Sequence, residues 1–391
     1  MLVVGGGAAL AIIGLRRAAR LGLGTPAPTR NYIPQIDGLR GCLAFCVMAY
    51  HFALWYLQIA FGVGWDVPED PLLASLGPGA VNLFFMVTGL VFYDHVLKGA
   101  SGIRWTAFAI GRVCRILPMV AASTALVALM SLILVGCTPR APLVDTAISA
   151  LVWLTCWDQP ALFGYERSAA LNAGVLWSLR FEWAFYLAVL PAAALLRDLV
   201  RRVGAPTVTV PLVLLIVALA GRPWRSSVPL FLYLHLFAIG MLAAELMQRP
   251  NLARVAATHA GSALALACLA VGAFFPGPGR MVLHSVAFIL IACGADIFGL
   301  LRSTGARLLG DASFSLYLLH GIVLACAFET GLLVGLESNW LLLAFPCLAL
   351  TAVAASTVTY RLVERPAIEF GKRLTPRMRT DNRRAAIYVQ R

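Results

Sequence analysis

Charge is scarce in this sequence. Only 13% of its 391 residues are Asp, Glu, Lys or Arg, against about a quarter in an ordinary soluble domain. Acidic residues are scarcer still, 18 against 31 basic, for a net charge of +13. In a soluble chain that excess would suggest a nucleic-acid partner. Here the basic residues fall between apolar runs, so membrane topology accounts for them and no nucleic-acid role is expected. No Cys-x-x-Cys pair occurs among the nine cysteines, which are scattered and lie mostly in apolar segments. That argues against a disulfide framework or a metal site, and the cysteines read as small buried apolar residues. No Lys or Arg precedes the apolar first 15 residues, so they lack the basic start of a signal peptide. No internal repeat is evident, and no soluble domain is attached.

What is present is apolar length. The chain is 60% hydrophobic with mean hydropathy +0.84, and runs of about 20 apolar residues recur, enough to cross a hydrocarbon core. The expected fold is all-α, a polytopic bundle of ten spans near 38–60, 76–97, 117–136, 174–196, 206–221, 230–248, 257–275, 281–300, 312–335 and 340–361. With a cytoplasmic N-terminus, 25 of the 31 basic residues fall inside, as the positive-inside rule requires. Counting the short run 142–157 as a span would put Arg197, Arg201, Arg202 and the nine-charge tail outside. It is therefore read as a re-entrant or surface element on the outer side. The domain reading is an N-terminal extension of uncertain role (1–30), a transmembrane domain (31–368) and a basic cytoplasmic tail (369–391). The first 15 residues form a short interfacial helix, an extra span or a start-site artefact.

Ionisable residues within spans are costly and are functional candidates by default. In span one, Asp37 and Gly38 precede Arg40, and His51 follows 11 residues later. At ~100° and ~1.5 Å per residue, His51 shares a face with Arg40 and lies ~16 Å deeper. The pair reads as a polar track from the cytoplasmic mouth toward mid-membrane. Arg112 and Arg115, three apart before span three, suit either headgroup snorkelling or a guanidinium grip on phosphates. Glu182, within Trp177-Ser178-Leu179-Arg180-Phe181-Glu182-Trp183, sits in an apolar run and needs a partner or a job. Trp177 and Trp183 also fit an aromatic belt. Tyr317 and His320 share a face, with Ser313 and Ser315 a turn earlier. They suit interhelical hydrogen bonding or a substrate site equally. Asp94, His95, His235, Glu245, His284 and Asp296 have no spacing that selects a chemistry.

Six segments, in order, make the chain resemble the acyltransferase-3 family of integral membrane acyltransferases, over about residues 31–368. They are IDGLRG with YHF; GAVNLFFMVTGLVF, similar to GVDLFFVLSGF; GRVCRILP; WSLRFEWAFY, similar to WSLSVEEQFYL; LGDASFSLYLLH, similar to LGxISYSLYLxH; and RLVERP, similar to xxxEKP. The resemblance implies a ten-helix bundle open to cytoplasmic acyl-CoA, with acetyl-CoA the leading donor, and an acceptor reached from the membrane or its far side. It carries the Arg-x10-His motif onto Arg40 and His51, the Arg-x-x-Arg motif onto Arg112 and Arg115, and a glutamate onto Glu182. The chain departs from the pattern in three places. Phe-Glu-Trp replaces Val-Glu-Glu, removing one carboxylate. Val81-Asn82 replaces Val-Asp, and the Asn82 amide can still hydrogen-bond. No SGNH-type domain follows the last span, which leaves completion of the transfer to the membrane part or a partner.

The mechanism expected from these residues uses His51 as base, since an unperturbed imidazole titrates near neutrality. Arg40, Arg112 and Arg115 bind the acyl-CoA phosphates. Glu182 orients the acceptor or bonds an imidazolium, and Asp37, Asn82, Trp177, Ser178, Tyr317 and His320 support the substrate site. An acyl-histidine relay stands beside direct transfer. Neither a bound cofactor nor a metal is expected. The partners are acyl-CoA, a carbohydrate or lipid-linked glycan acceptor, the lipid bilayer and, as candidates, polysaccharide-assembly proteins, and the location is the inner membrane. The alternatives are macrolide or lipid acylation, a transporter of an acylated glycan or small anion, and a non-catalytic scaffold. Transport lacks matching Gly/Pro-broken helices in two halves.

Overall fold

A computed structural model describes residues 33–65, 70–331, 333 and 338–375. The extension 1–30 and residues 376–391 of the tail lie outside the described residues. The helices are α1 (Pro34–Phe61), α2 (Pro71–Lys98), α3 (Trp105–Leu134), α4 (Leu143–Leu154), α5 (Trp177–Arg202), α6 (Thr209–Ala220), α7 (Leu234–Leu246), α8 (His259–Phe274), α9 (Pro278–Cys293), α10 (Thr304–Asp311), α11 (Ser313–Glu329) and α12 (Trp340–Leu374). Among the described residues there is no strand, only an isolated bridge between Leu162 and Tyr165.

A described helix occupies each of the ten apolar runs, but the ten-span expectation is only partly met. Among the described residues, five helices (α1, α2, α3, α5 and α12) are long and apolar enough to cross a membrane alone. Two bent pairs, Pro250–Ala256 with α8 and α10 with α11, each turning by 77°, raise the number to seven. Helices α6, α7 and α9 have 12, 13 and 16 residues. At 1.5 Å per residue they reach about 18–24 Å, short of a ~30 Å hydrocarbon core. Local chemistry trims them. A 3₁₀ turn at Pro229–Leu232 takes the start of the run before α7, and Gly294, at φ 132°, ends α9 well before residue 300. The run 142–157 becomes the separate 12-residue helix α4. Helix α3 begins at Trp105, a dozen residues before the expected span, so Arg112 and Arg115 stand two to three turns inside it and not in a loop.

The apolar surface is what lipid demands. Leu129, Ile133, Leu195, Ile216 and Leu362 are all more than half exposed on the outside of helices, with backbone polar groups satisfied within each helix. The interior is close-packed around Met48, Met86, Met119, Phe185 and Phe237. Contacts between helices rely on glycine. A Cβ on Gly89 would lie 2.1 Å from the Phe237 carbonyl oxygen, and one on Gly240 would lie 2.0 Å from that of Met86. Helices α2 and α7 therefore touch backbone to backbone, as small residues allow in membrane bundles. All nine cysteines are free; Cys137, Cys326 and Cys347 are exposed, and the rest are buried or half-buried.

Candidate active site

The site begins where α10 crosses the first turns of α1. A Cβ on Gly38 would meet the Leu301 carbonyl oxygen at 1.9 Å, one on Gly41 the Ala306 oxygen at 2.6 Å, and one on Gly310 the Asp37 oxygen at 2.0 Å. The glycines of the IDGLRG segment thus let two backbones touch, and that contact sets the rotation of α1. Arg40 is fixed as a result. It donates from Nη2 to Ser313 Oγ at 3.0 Å and pairs through Nη1 with Asp37 Oδ1 at 3.6 Å.

Arg40 opens onto a cavity of about 450 Å³, a volume ordinary for a small-molecule site. Helix α2 supplies one wall through Phe84, Thr88, Phe92 and His95. From Phe84 to His95 that wall runs about 16 Å along the helix axis, and each level faces a different partner. At the first, Phe84 meets Tyr317 edge to face at 6.1 Å. The Tyr317 hydroxyl lies 2.7 Å from Ser178 Oγ, and both hydroxyls reach the Val175 carbonyl at 3.2 Å. At the next, Thr88 Oγ1 donates a long bond to Glu182 Oε1, 3.5 Å. The third holds Arg112, whose guanidinium carbon sits 5.0 Å from the Phe92 ring centroid, 5.9 Å from Phe108 and 5.8 Å from Tyr186. His95 closes the series beside Phe92 and Phe108. Arg115 also lines the cavity, with Glu182, Asp37 and Glu364 as its acidic neighbours.

His51 does not line this cavity. The polar track expected along α1 is interrupted, and the histidine lies beyond Tyr317, against α11. His51 Nδ1 is 2.9 Å from His320 Nε2, with ring centroids 5.0 Å apart, and the His320 ring stands 6.2 Å from that of Tyr317. His320 Nδ1 lies 3.0 Å from the Leu316 carbonyl oxygen. A carbonyl only accepts, so Nδ1 of His320 carries a proton, and the neutral ring presents a bare Nε2. His51 Nδ1 must then be the donor between the rings, which leaves the lone pair of His51 on Nε2. His320 is fully buried, whereas His51 keeps partial solvent access. Two residues of α1, Arg40 and His51, thus bond two residues of α11, Ser313 and His320.

The remaining candidates divide. Ser178, Tyr317 and Glu182 line the cavity; Asp37 acts through Arg40. Asn82 and Trp177 do not line it. Trp177 packs on Phe181 and Tyr233 instead. Glu182 lies among Arg115, Arg112 and Arg40, away from the imidazoles. One participant escaped sequence reasoning as a site residue. Glu364 of α12 is 1% exposed, accepts from Ser315 Oγ at 2.8 Å, and neighbours Arg115 and Arg40. Its signal was a lone carboxylate closing a 20-residue apolar run within RLVERP, the kind of intramembrane charge that asks for a partner.

The arrangement holds three guanidinium groups and two carboxylates, Glu182 and Asp94, around a cavity whose floor adjoins an oriented imidazole. Such a site can bind a polyanion and abstract a proton beyond its far end. A family model described as an acyltransferase domain matches residues 33–361. No curated protein and no solved structure matches the chain.

Proposed function

This chain belongs to the acyltransferase-3 family and is a membrane acyltransferase, and from that premise we propose that it carries an acyl group, acetyl first, from cytoplasmic acyl-CoA to a hydroxyl of a surface polysaccharide or its lipid-linked precursor. The observation that carries the reading is the cavity with Arg40, Arg112 and Arg115 on its walls and the His51–His320 pair past its Tyr317 floor. In this reading all ten runs cross or enter the inner membrane, and the Arg40 end faces the cytoplasm.

The three arginines take the phosphates of the donor, Arg112 as a planar group held by aromatic faces and Arg40 and Arg115 as charges balanced by Asp37, Glu182 and Glu364. The pantetheine arm runs along the α2 wall and brings the thioester to Tyr317 and Ser178. The acceptor hydroxyl gives its proton to His51 Nε2, and its oxygen attacks the thioester carbonyl carbon. The Tyr317 hydroxyl stabilises the oxyanion. Collapse breaks the C–S bond, and the imidazolium returns its proton to the departing thiolate. Throughout, His320 accepts from His51 Nδ1 and holds the ring in the one tautomer that can act as base.

The test is transfer of radiolabel from acetyl-CoA by purified protein in the presence of cell-envelope glycan. The expected result is covalent label on the glycan, lost in His51→Ala while the variant still resides in the membrane. Near-full transfer by that variant refutes the mechanism. Transport of unlabelled glycan with no covalent label refutes the enzyme reading.

A further inference from the structure

The arginines and the histidine pair leave one end of the cavity without a task. Beyond Arg112 the wall is formed by Val91, Asp94, His95 and Met247. His95 is the unusual member. Its Nδ1 is buried with no hydrogen-bond partner, a costly condition in a folded protein. Its ring is not loose, since Phe92 lies 5.7 Å and Phe108 5.5 Å from it, centroid to centroid. A buried imidazole so fixed, lining a cavity with one nitrogen unmatched, is built to be matched by something that enters. Positive charge reaches it from Arg112 on one side and Lys98 a turn away, and Asp94, itself near Lys98, is the carboxylate of this end. Apolar Val91, Phe92 and Met247 give it a flat, greasy wall.

We propose that this His95 end is a nucleotide subsite, in which His95 hydrogen-bonds the nucleobase or ribose of the acyl-CoA donor while Arg112 and Lys98 face its phosphates. The inference rests on the acyl-CoA reading above and deepens it. The order along α2 agrees. Counting from the Tyr317 end, the wall presents the floor at Phe84, the carboxylate at Thr88, the guanidinium at Phe92 and the imidazole at His95. A thioester, its pantetheine arm, its phosphates and its nucleoside follow one another in the same order.

The experiment compares two donors that share a thioester and differ in the nucleotide. Binding of acetyl-CoA and of S-acetylpantetheine to the purified protein is measured by equilibrium dialysis, for the wild type and for His95→Phe, which keeps a ring between Phe92 and Phe108. Loss of one hydrogen bond predicts about tenfold weaker acetyl-CoA binding, with S-acetylpantetheine unchanged. His95→Gln, which restores a polar partner, recovers part of the loss. Equal acetyl-CoA binding by wild type and His95→Phe overturns the subsite. So does equal weakening of both donors, which would make His95 a packing residue. A wild type that binds neither thioester overturns the acyl-CoA reading itself, and the subsite with it. A wild type that binds both equally leaves that reading standing and overturns the subsite alone.

Discussion

Replacing His320 by Phe isolates one hydrogen bond. His320 lies outside the cavity lining, and its Nε2 accepts from His51 Nδ1 at 2.9 Å while its own Nδ1 is tied to Leu316. A phenyl ring fills the space but accepts nothing. His51 then loses the partner that selects its tautomer. The loss bears hardest on the transition state, where His51 becomes an imidazolium and its Nδ1–H bond becomes charge-assisted. Losing that charge-assisted hydrogen bond costs about 1.5–3 kcal/mol, which corresponds to roughly 10- to 150-fold in kcat. KM for acyl-CoA should not move, because the donor's cavity is intact. His320→Gln supplies an amide oxygen toward His51 and an amide N–H toward Leu316, and should recover most of the rate. The assay is acetyl transfer from labelled acetyl-CoA at saturating donor, with thermal melting in detergent to confirm the fold. Wild-type kcat in His320→Phe, alongside an inactive His51→Ala, refutes the positioning role. A rise in KM with kcat unchanged refutes it as well, and would make His320 a binding residue.

Three further outcomes follow from the packing and the charges. Gly38→Ala places a Cβ 1.9 Å from a backbone carbonyl oxygen that has no freedom to retreat. It should lower the melting temperature by an amount equivalent to about 1–3 kcal/mol or more, and an unchanged melting curve would mean that α1 does not touch the Leu301 backbone ahead of α10. Arg112→Lys keeps the charge but not the plane that sits among Phe92, Phe108 and Tyr186. Acyl-CoA binding should weaken by about 0.5–2 kcal/mol, or roughly 2- to 30-fold, and unaltered binding would return this arginine to a topological role. Glu364→Ala leaves Ser315 without its acceptor and the half-buried guanidinium groups of Arg115 and Arg40 short of a neighbouring carboxylate. It should destabilise the protein by about 1.5–3 kcal/mol, read by denaturation in detergent, and Glu364→Asp should soften the loss.

The sequence made visible what lies on one helix. Arg40 and His51 are in phase along α1 and stay so, and Arg112 and Arg115 share a face of α3. It could not show what lies across two helices. Nothing in the spacing of Ser313 and His320, seven residues apart, says that they meet Arg40 and His51. Which helices become neighbours is decided by glycine contacts such as Gly41 on Ala306, and these depend on three-dimensional fit. Residues three apart can also diverge in role. Arg112 rests on aromatic rings while Arg115 sits among carboxylates. Asn82, marked by its likeness to a conserved acidic position, is not part of the cavity wall that its neighbours Val81 and Phe84 form. The number of runs and the number of span-length helices differ for a related reason. Hydropathy registers apolar composition over a window, whereas a 3₁₀ turn or a left-handed glycine shortens a helix without changing that composition.

The helices that build the site are also the ones that break the period. Three π-turns occur among the described residues, at Ser75–Gly79, Phe185–Val189 and Tyr360–Glu364. Each inserts one residue into its helix, so everything beyond it is turned by about 100° relative to a regular α-helix. The first sets Gly77 against the Tyr50 ring, which in turn meets His51 edge to face at 5.0 Å. The second contains Tyr186, which lines the cavity and faces Arg112. The third ends on Glu364 itself. A regular α12 that buried Phe345 and Val353 as this one does would have carried Glu364 to a different side of the helix, away from Ser315 and Arg115. The π-turn lets one helix serve two faces, an apolar one packed in the bundle and a carboxylate aimed at the arginines. That is why a reading at 3.6 residues per turn finds the residues of α1, and Ser178 and Glu182 of α5 ahead of its π-turn, and passes over Tyr186 and Glu364. The places where the period fails are themselves pointers to where the polar groups converge.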